Sequence, residues 1–400
     1  MKKTIALLMT CLLCAALLCG CGNSEETLVL NVYNWGEYIS DGSEGTLDVN
    51  AAFEDYYYET YGKKVKVNYT TYASNEDMYN KLSSGAAVYD IVIPSDYMIA
   101  KMIKEDMLLP LNFDNIPNYQ YIDEQYKNNY YDPESLYSVP YFCGYVGVIY
   151  NTDLVEGTPT DWDALWDEAN RGKILQFNNP RDAFGTAQYA LGHDVNATEK
   201  ALWDEALTLL KKQKPLVQSY VMDEVFNKMK NGSAAVAPYY AGDFLTMYED
   251  NPALAFYYPQ SGTNIFVDAM CIPTVSRNKE LAEAYINFFL TEEIATANAE
   301  YTYYASPNTL VRNSESYQAT MQEVHEDVIS ILYGTDDIQA TYYQNLDPET
   351  TQYMNSLWES LKVESSVGAG VYVVTAVVLA LLLVLVLRII IKKRINSRYY

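Results

Sequence analysis

The 400-residue chain predicts an α/β fold in two lobes, and three observations carry that expectation. The length exceeds one ordinary core, because domains usually hold about 100–200 residues. Strand-like and helix-like hydrophobic periods alternate from Leu28 onwards, the pattern of a sheet with crossover helices. The alternation comes as two successive series, the second beginning near Gly144.

In the first series Leu28 to Tyr33 alternates as a strand. Leu47 to Tyr61 carries apolar residues at helical spacing and stops at Gly62, and Val65, Val67 and Tyr69 alternate again. Asn75 can cap a helix through Leu82 closed by Gly85. Tyr89 to Ile93 reads as a short buried strand ending at Pro94, and Met98 to Met107 as a helix. A parallel sheet is the economical arrangement, and ligands bind at the carboxyl ends of such strands. The loops at those ends are Tyr33 to Tyr38, Tyr72 to Ser74 and Pro94 to Tyr97.

The second series has strand-like segments at Gly144 to Tyr150, Lys173 to Phe177, Pro215 to Ser219 and Ala234 to Pro238. Helices are expected at Asp161 to Ala169, Ala183 to Leu191, Glu199 to Lys212 and Met222 to Lys230. Phe266 to Ile272 is a further strand, Lys279 to Glu300 a helical pair, and Pro348 to Leu361 an amphipathic helix.

Asp and Glu number 52 against 27 Lys and Arg. That acidity argues against a nucleic-acid partner, whose phosphates demand a basic stripe, and permits a cationic one. The two histidines, His193 and His325, lack partners at metal-ligand spacing and read as solvated, so no metal site or histidine dyad is expected. Phosphate-loop, dinucleotide and nucleophile-elbow patterns are missing from the sequence, which places an enzyme last among the function classes.

Both ends read as membrane signals. Met1 to Gly20 is a basic start, an apolar run and small residues, as in a secretory leader. Leu18-Cys19-Gly20-Cys21 resembles a bacterial lipobox, which would make Cys21 the lipidated first residue of the mature chain. Val367 to Ile391 is apolar enough and long enough to cross about 30 Å of hydrocarbon as a helix. Lys392, Lys393, Arg394 and Arg398 follow it and would stay in the cytoplasm, leaving the bulk of the chain outside the cell membrane. Only Cys143 and Cys271 then remain in the folded part, either paired or as buried thiols.

The stretch Asn31 to Ser40, NVYNWGEYIS, runs from a strand into a loop that would gather Tyr33, Trp35, Glu37 and Tyr38. A carboxylate among aromatic faces suits a cation. Further along occur TYASNEDMYNKL (Thr71 to Leu82), YDIVIPSDY (Tyr89 to Tyr97), IFVDAMCIP (Ile265 to Pro273), INFFL (Ile286 to Leu290) and YYASPN (Tyr303 to Asn308).

In order and spacing these motifs resemble the spermidine/putrescine-binding proteins of bacterial polyamine importers over about Leu28 to Leu361. The resemblance implies a periplasmic-binding-protein-like fold whose chain crosses between lobes, with the ligand clamped in the cleft and passed to an ABC permease and its ATPase. The implied division is a leader (1–20), a lipid-linked tether (21–27), lobe 1 (28–142 and 267–312), lobe 2 (143–266 and 313–362), a transmembrane helix (367–391) and a cytoplasmic tail (392–400). No cofactor is implied.

By position, Trp35 and Tyr38 would flank the ligand from the first loop, and Ser95 and Tyr97 would line the cleft from the next. Asp96 could add charge or face solvent. In QFNNPRDAF, Asp182 would bind a terminal amine, while Asn179 stands where the family often has a further carboxylate. APYYAGDF supplies Tyr239 or Tyr240 as an aromatic wall. Phe266 replaces a frequent tryptophan, Asp268 would bind an amine near mid-ligand, and Tyr304 and Gln344 occupy the remaining positions.

A polyamine is a set of ammonium groups on methylene chains, so such a site needs carboxylates and aromatic walls. A charge-assisted hydrogen bond contributes roughly 1.5–3 kcal/mol and a cation over an aromatic face about 0.5–2 kcal/mol. Two or three such pairs together with buried methylenes would suffice for the roughly 8 kcal/mol of micromolar binding. The competing readings are another small solute on the same fold, against which Asp182 and Asp268 argue when the solute is anionic, and a membrane-anchored amine sensor.

Overall fold

The computed structural model describes residues 27–363 together with Arg388. The leader, Cys21 and, apart from Arg388, the apolar stretch 367–391 lie outside the described residues. Among the described residues no helix is long and apolar enough to cross a membrane.

The first series folds as β1 (Leu28–Trp35), α1 (Val49–Tyr61), β2 (Val65–Tyr72), α2 (Asn75–Ser83), β3 (Ile91–Val92) and α3 (Asp96–Lys104). Asp48 caps α1 by accepting from Ala51 N, Gly62 ends it in the left-handed conformation, and Val49, Phe53 and Tyr57 form its buried face. α2 is capped by Ser74 rather than by the expected Asn75. Asn75 is buried and spends its amide on the neighbouring segment, accepting from Ser95 N at 3.1 Å and donating to Ser95 Oγ and Tyr97 Oη, both at 3.1 Å.

Next come β4 (Ser138–Asn151), β5 (Ile174–Phe177), α4 (Pro180–Leu191), α5 (Lys200–Gln213), β6 (Val217–Val221) and α6 (Glu224–Lys230). They are followed by β7 (Val236–Tyr240), α7 (Ala241–Asp250), β8 (Leu254–Tyr257) and β9 (Thr263–Cys271). α4 starts three residues before the expected Ala183, because Asn179 caps it and Pro180 takes its first position. The helix expected over Asp161 to Ala169 is two 3₁₀ turns, Trp162–Trp166 and Glu168–Asn170. Asp161 and Asp167 each capture a nearby backbone N–H and break the run.

The chain closes with α8 (Lys279–Phe289), α9 (Glu292–Thr302), α10 (Thr309–Arg312), α11 (Glu315–Val324), α12 (Val328–Tyr333), β10 (Ala340–Tyr342) and α13 (Pro348–Val363). Thr350, Met354, Trp358 and Leu361 make the buried stripe of α13.

The strand order is β2-β1-β3-β9-β4-β7-β5-β6, with β10 on β9 and β8 on β4. The expected parallel pairing holds at the two ends, β2-β1-β3 and β7-β5-β6. In the middle it fails: β9 is antiparallel to β3 and β4, and β4 is antiparallel to β7 and β8. The cause is that β4 serves both halves. Its residues Ser138 to Tyr145 pair with β9, and Val146 to Asn151 pair with β7 and β8. One strand pair therefore joins two parallel-sheet lobes.

Two glycines flank that transition. At Gly144 an added Cβ would lie 2.9 Å from Cζ of Phe266. At Gly147 it would lie 2.2 Å from Cζ of Phe256 and 2.9 Å from the Tyr257 carbonyl oxygen. Cys143 and Cys271 are buried free thiols. The histidines are half-buried rather than solvated: His193 sits 3.2 Å from Glu205, and the His325 ring packs 4.8 Å from that of Tyr248.

Because a side chain at Gly147 must displace the Phe256 ring and crowd backbone, Gly147→Ala is expected to lower unfolding free energy by about 1–3 kcal/mol, the usual cost of overpacking. Equilibrium denaturation measures it, and an unchanged midpoint would show that β8 moves aside freely.

Candidate functional site

A cavity opens between the lobes where α2, α3, α4 and α7 begin, with about 840 Å³ of atom-free space including its mouth. Its walls carry nine of the ten ligand positions expected from sequence.

β1 delivers Trp35, whose indole N–H donates to Ile93 O at 2.9 Å and whose ring leans on Tyr72 at 4.7 Å. At Gly36 the Asp223 Oδ2 atom comes 3.1 Å from where a Cβ would stand, so the missing side chain lets the two lobes approach. Glu37 is exposed at the mouth with φ 49°. Tyr38 is buried, edge-on to Tyr141, Phe142 and Tyr304, and donates its hydroxyl to Asp268 Oδ2 at 2.7 Å. The fourfold gathering expected of this stretch is thus incomplete. Tyr33 does not line the cavity; its ring stacks on Tyr89 at 4.2 Å, under the Lys81 ammonium at 4.7 Å.

Asp268 projects from β9, beside Ser95. Its Oδ1 atom is buried without a hydrogen-bond partner. Burial pushes its pKa up to about 6 against the pull of the Ser95 and Tyr38 hydroxyls. Asp182 stands in the first turn of α4, accepting from Asn179 Nδ2 at 2.8 Å and Tyr240 Oη at 3.0 Å. Burial raises it to about 7, with Glu76 adding to the rise and Tyr240 and Arg181 opposing it.

Both tyrosines of the undecided pair face the cavity. Tyr240 binds Asp182, and Tyr239 stacks on Phe177 with ring centres 5.5 Å apart. Phe266 sits edge-on to Tyr240 at 5.5 Å. Tyr97 donates to Glu76 Oε1 at 3.0 Å. Asp96, left between charge donor and surface residue, is neither solvated nor free. It is 1% exposed and accepts from Tyr97 N at 2.6 Å and Val267 N at 3.1 Å, pinning α3 to β9. Burial lifts it to about 8.

Gln344 is displaced from its expected place. It lines a neighbouring cleft, and Tyr343 takes the cavity position under the Arg181 guanidinium at 4.3 Å. Just past β10 consecutive side chains point to opposite sides, so a one-residue register error changes the face. Arg181, the basic residue of the wall, is directed away: Nη1 donates to Val195 O and Nη2 to Asn196 Oδ1, each at 2.8 Å.

Asp243 was not among the expected positions. It occupies the first turn of α7, accepts from Tyr304 Oη at 2.9 Å, and is raised to about 8 by burial, with Asp223 and Glu37 adding to the rise. Its signal lay in APYYAGDF, where a strand passes straight into a helix and sets the next carboxylate at the strand's carboxyl end. No group of three or more metal-ligating side chains occurs among the described residues. Carboxylates lodged among aromatic faces, with Arg181 turned aside, suit a slender cation.

Known proteins match this chain over most of its length. The family model for bacterial extracellular solute-binding proteins matches residues 51–323. The spermidine/putrescine-binding periplasmic protein of Escherichia coli is 30% identical over 335 residues, covering 81% of this chain and 93% of that protein. A solved structure assigned to a spermidine/putrescine ABC transporter of Listeria monocytogenes superposes with TM-score 0.75 at 32% identity, covering 84% of this chain and 99% of that one. The spermidine/putrescine ABC transporter substrate-binding protein of Streptococcus pneumoniae superposes with TM-score 0.67 at 30% identity and the same coverage.

The raised carboxyls make ligand-free stability depend on pH in a set direction. Asp268, Asp182, Asp96 and Asp243 hold protons in the folded state up to about 6, 7, 8 and 8, whereas the ordinary value is 3.8. The folded chain binds more protons than the unfolded one within that window, so its stability falls as pH rises from about 4 to about 8. Equilibrium unfolding without ligand should give a lower free energy at pH 8 than at pH 5; the opposite order would mean that these groups are ionised and paired.

Proposed function

The chain belongs to the bacterial extracellular solute-binding proteins, and from that premise we propose that it captures a polyamine such as spermidine or putrescine and delivers it to an ABC-type permease, with no chemistry of its own. The observation that carries the reading is the pair Asp268 and Asp182. They come from β9 in the first lobe and α4 in the second, line one cavity, are 4% and 6% exposed, and are held by tyrosines rather than by cations. An ammonium at each would satisfy them, and the rings of Trp35, Tyr239 and Phe266 offer faces to the methylenes between. The names of the relatives support the same ligand class.

The lobes are assigned as residues 28–142 with 267–312 and residues 143–266 with 313–362, which fits β4 and β9 as the shared strands. A ligand that touches Asp268 and Asp182 together is held best when the lobes are closed, so binding shifts the population towards closure. Lipid on Cys21 and a helix over 367–391 would keep the lobes at the outer face of the cell membrane, raising their effective concentration near the permease.

Calorimetric titration of the full chain with putrescine, spermidine and spermine, with glycine betaine and a neutral sugar as controls, tests the ligand. Micromolar or tighter binding of a polyamine alone is the expected outcome; no heat with any polyamine on a folded, ligand-free protein would sink it. Asp268→Asn should weaken binding tenfold or more, following the roughly 1.5–3 kcal/mol of a charged hydrogen bond. Unchanged affinity would remove Asp268 from the site.

A further inference from the structure

We infer that Asn264 is a further ligand-binding residue of the cavity, its side-chain carbonyl accepting an N–H from the ammonium that Asp182 holds. The inference deepens the polyamine reading and rests on it.

Among the described residues that line the cavity, three buried side-chain atoms have no hydrogen-bond partner: Oδ1 of Asp268, Oδ1 of Asn264 and Nε of Arg181. Asp268 was expected to meet the ligand. Asn264 was not, lying one residue ahead of IFVDAMCIP. It is 5% exposed, and a buried carbonyl without a donor costs free energy. Buried acceptors in folded proteins nearly always have a partner. One that faces a cavity marks the place of a donor arriving from outside.

The strand explains how Asn264 comes to face the ligand. Side chains alternate between the faces of a strand, and Asn264, Phe266 and Asp268 follow at intervals of two on the face of β9 that lines the cavity. Four residues of strand span about 13 Å, so β9 presents an acceptor, an aromatic ring and a second acceptor in a row. The Asn264 end is the Asp182 side: α4 packs on β9, β10 pairs with β9 through Thr341 and Asn264, and the Tyr343 hydroxyl just past β10 fills the space beside Gly185 of α4. Asp182 alone cannot satisfy an ammonium. That ion has three N–H donors, and Asp182 Oδ2 already accepts from Asn179 and Tyr240. A neutral acceptor suits the next N–H, because it adds no negative charge beside Asp182. The one donor among the three unpartnered atoms, Arg181 Nε, belongs to a guanidinium committed to Val195 O and Asn196 Oδ1 over the Tyr343 ring.

The test titrates the full chain and its Asn264→Leu variant with the polyamine bound most tightly and with its derivative carrying two methyl groups on each terminal nitrogen. The derivative keeps one N–H on each terminal ammonium, which serves a carboxylate and leaves none for Asn264. The unaltered chain should bind it at least tenfold more weakly than the parent polyamine, charged hydrogen bonds being lost. Asn264→Leu should lower affinity for the parent tenfold or more and change affinity for the methylated ligand less than about threefold. It should also leave the ligand-free unfolding midpoint equal or higher, since an unpaired buried carbonyl is removed. A lower ligand-free midpoint, or failure to fold, would mean that the carbonyl has a partner within the protein and would overturn the inference. So would equal weakening of both ligands by Asn264→Leu, an unchanged affinity for the parent, or equal affinities of the unaltered chain for the two ligands, a comparison that needs no variant. Binding of no polyamine by the unaltered chain would instead overturn the polyamine reading itself.

Discussion

A carboxyl group removed from water can carry its charge only at a high cost unless a cation stands beside it, and this cavity holds several such groups, all with raised pKa. The surroundings show two different solutions. Asp96 is settled within the protein, because backbone N–H groups of Tyr97 and Val267 each reach one of its oxygens. Asp268, Asp182 and Asp243 receive side-chain donors on one oxygen only. The first arrangement binds α3 to β9 and is architecture. The second leaves an electrostatic demand in place, and the aromatic walls, the diverted Arg181 and the opposed lobes all serve to keep that demand from being met internally.

Keeping the demand in place requires stiff supports, and these come from the frame. Asn75 ties the start of α2 to Ser95 and Tyr97 at the start of α3. Gly144 leaves room for the Phe266 ring, which places that ring against Tyr240. Gly36 does the same for the carboxylate of Asp223. Small residues and short polar side chains at element junctions thus decide where the large aromatic groups stand.

Much of this was legible from residue order. Alternating periods marked both lobes, and strand ends marked the loops that carry Trp35, Tyr38, Ser95 and Tyr97. What escaped reading depended on long-range pairing or on single-residue register. The antiparallel middle of the sheet follows from β4 and β9 meeting across more than a hundred residues, which no local period reports. Gln344 and Tyr343 are adjacent and point apart, so composition could not choose between them. Asp243 lay in a motif read for its tyrosines, and its hydrogen-bond donor, Tyr304, is 61 residues away. The 3₁₀ turns around Trp162 arose because Asp161 and Asp167 compete for backbone that an apolar period alone assigns to a helix.

The shared strand pair also governs when the molecule can fold. β3 is a two-residue strand whose neighbour on the β4 side is β9, and β9 is made only after every strand of the other lobe except β10. Until Cys271 has been synthesised, the amino-terminal lobe lacks the strand that ties its sheet to β4. Contacts of such sequence separation form late, because loop closure must precede them. The join between the two parallel ends of the sheet therefore closes only once β9, ending at Cys271, has been made.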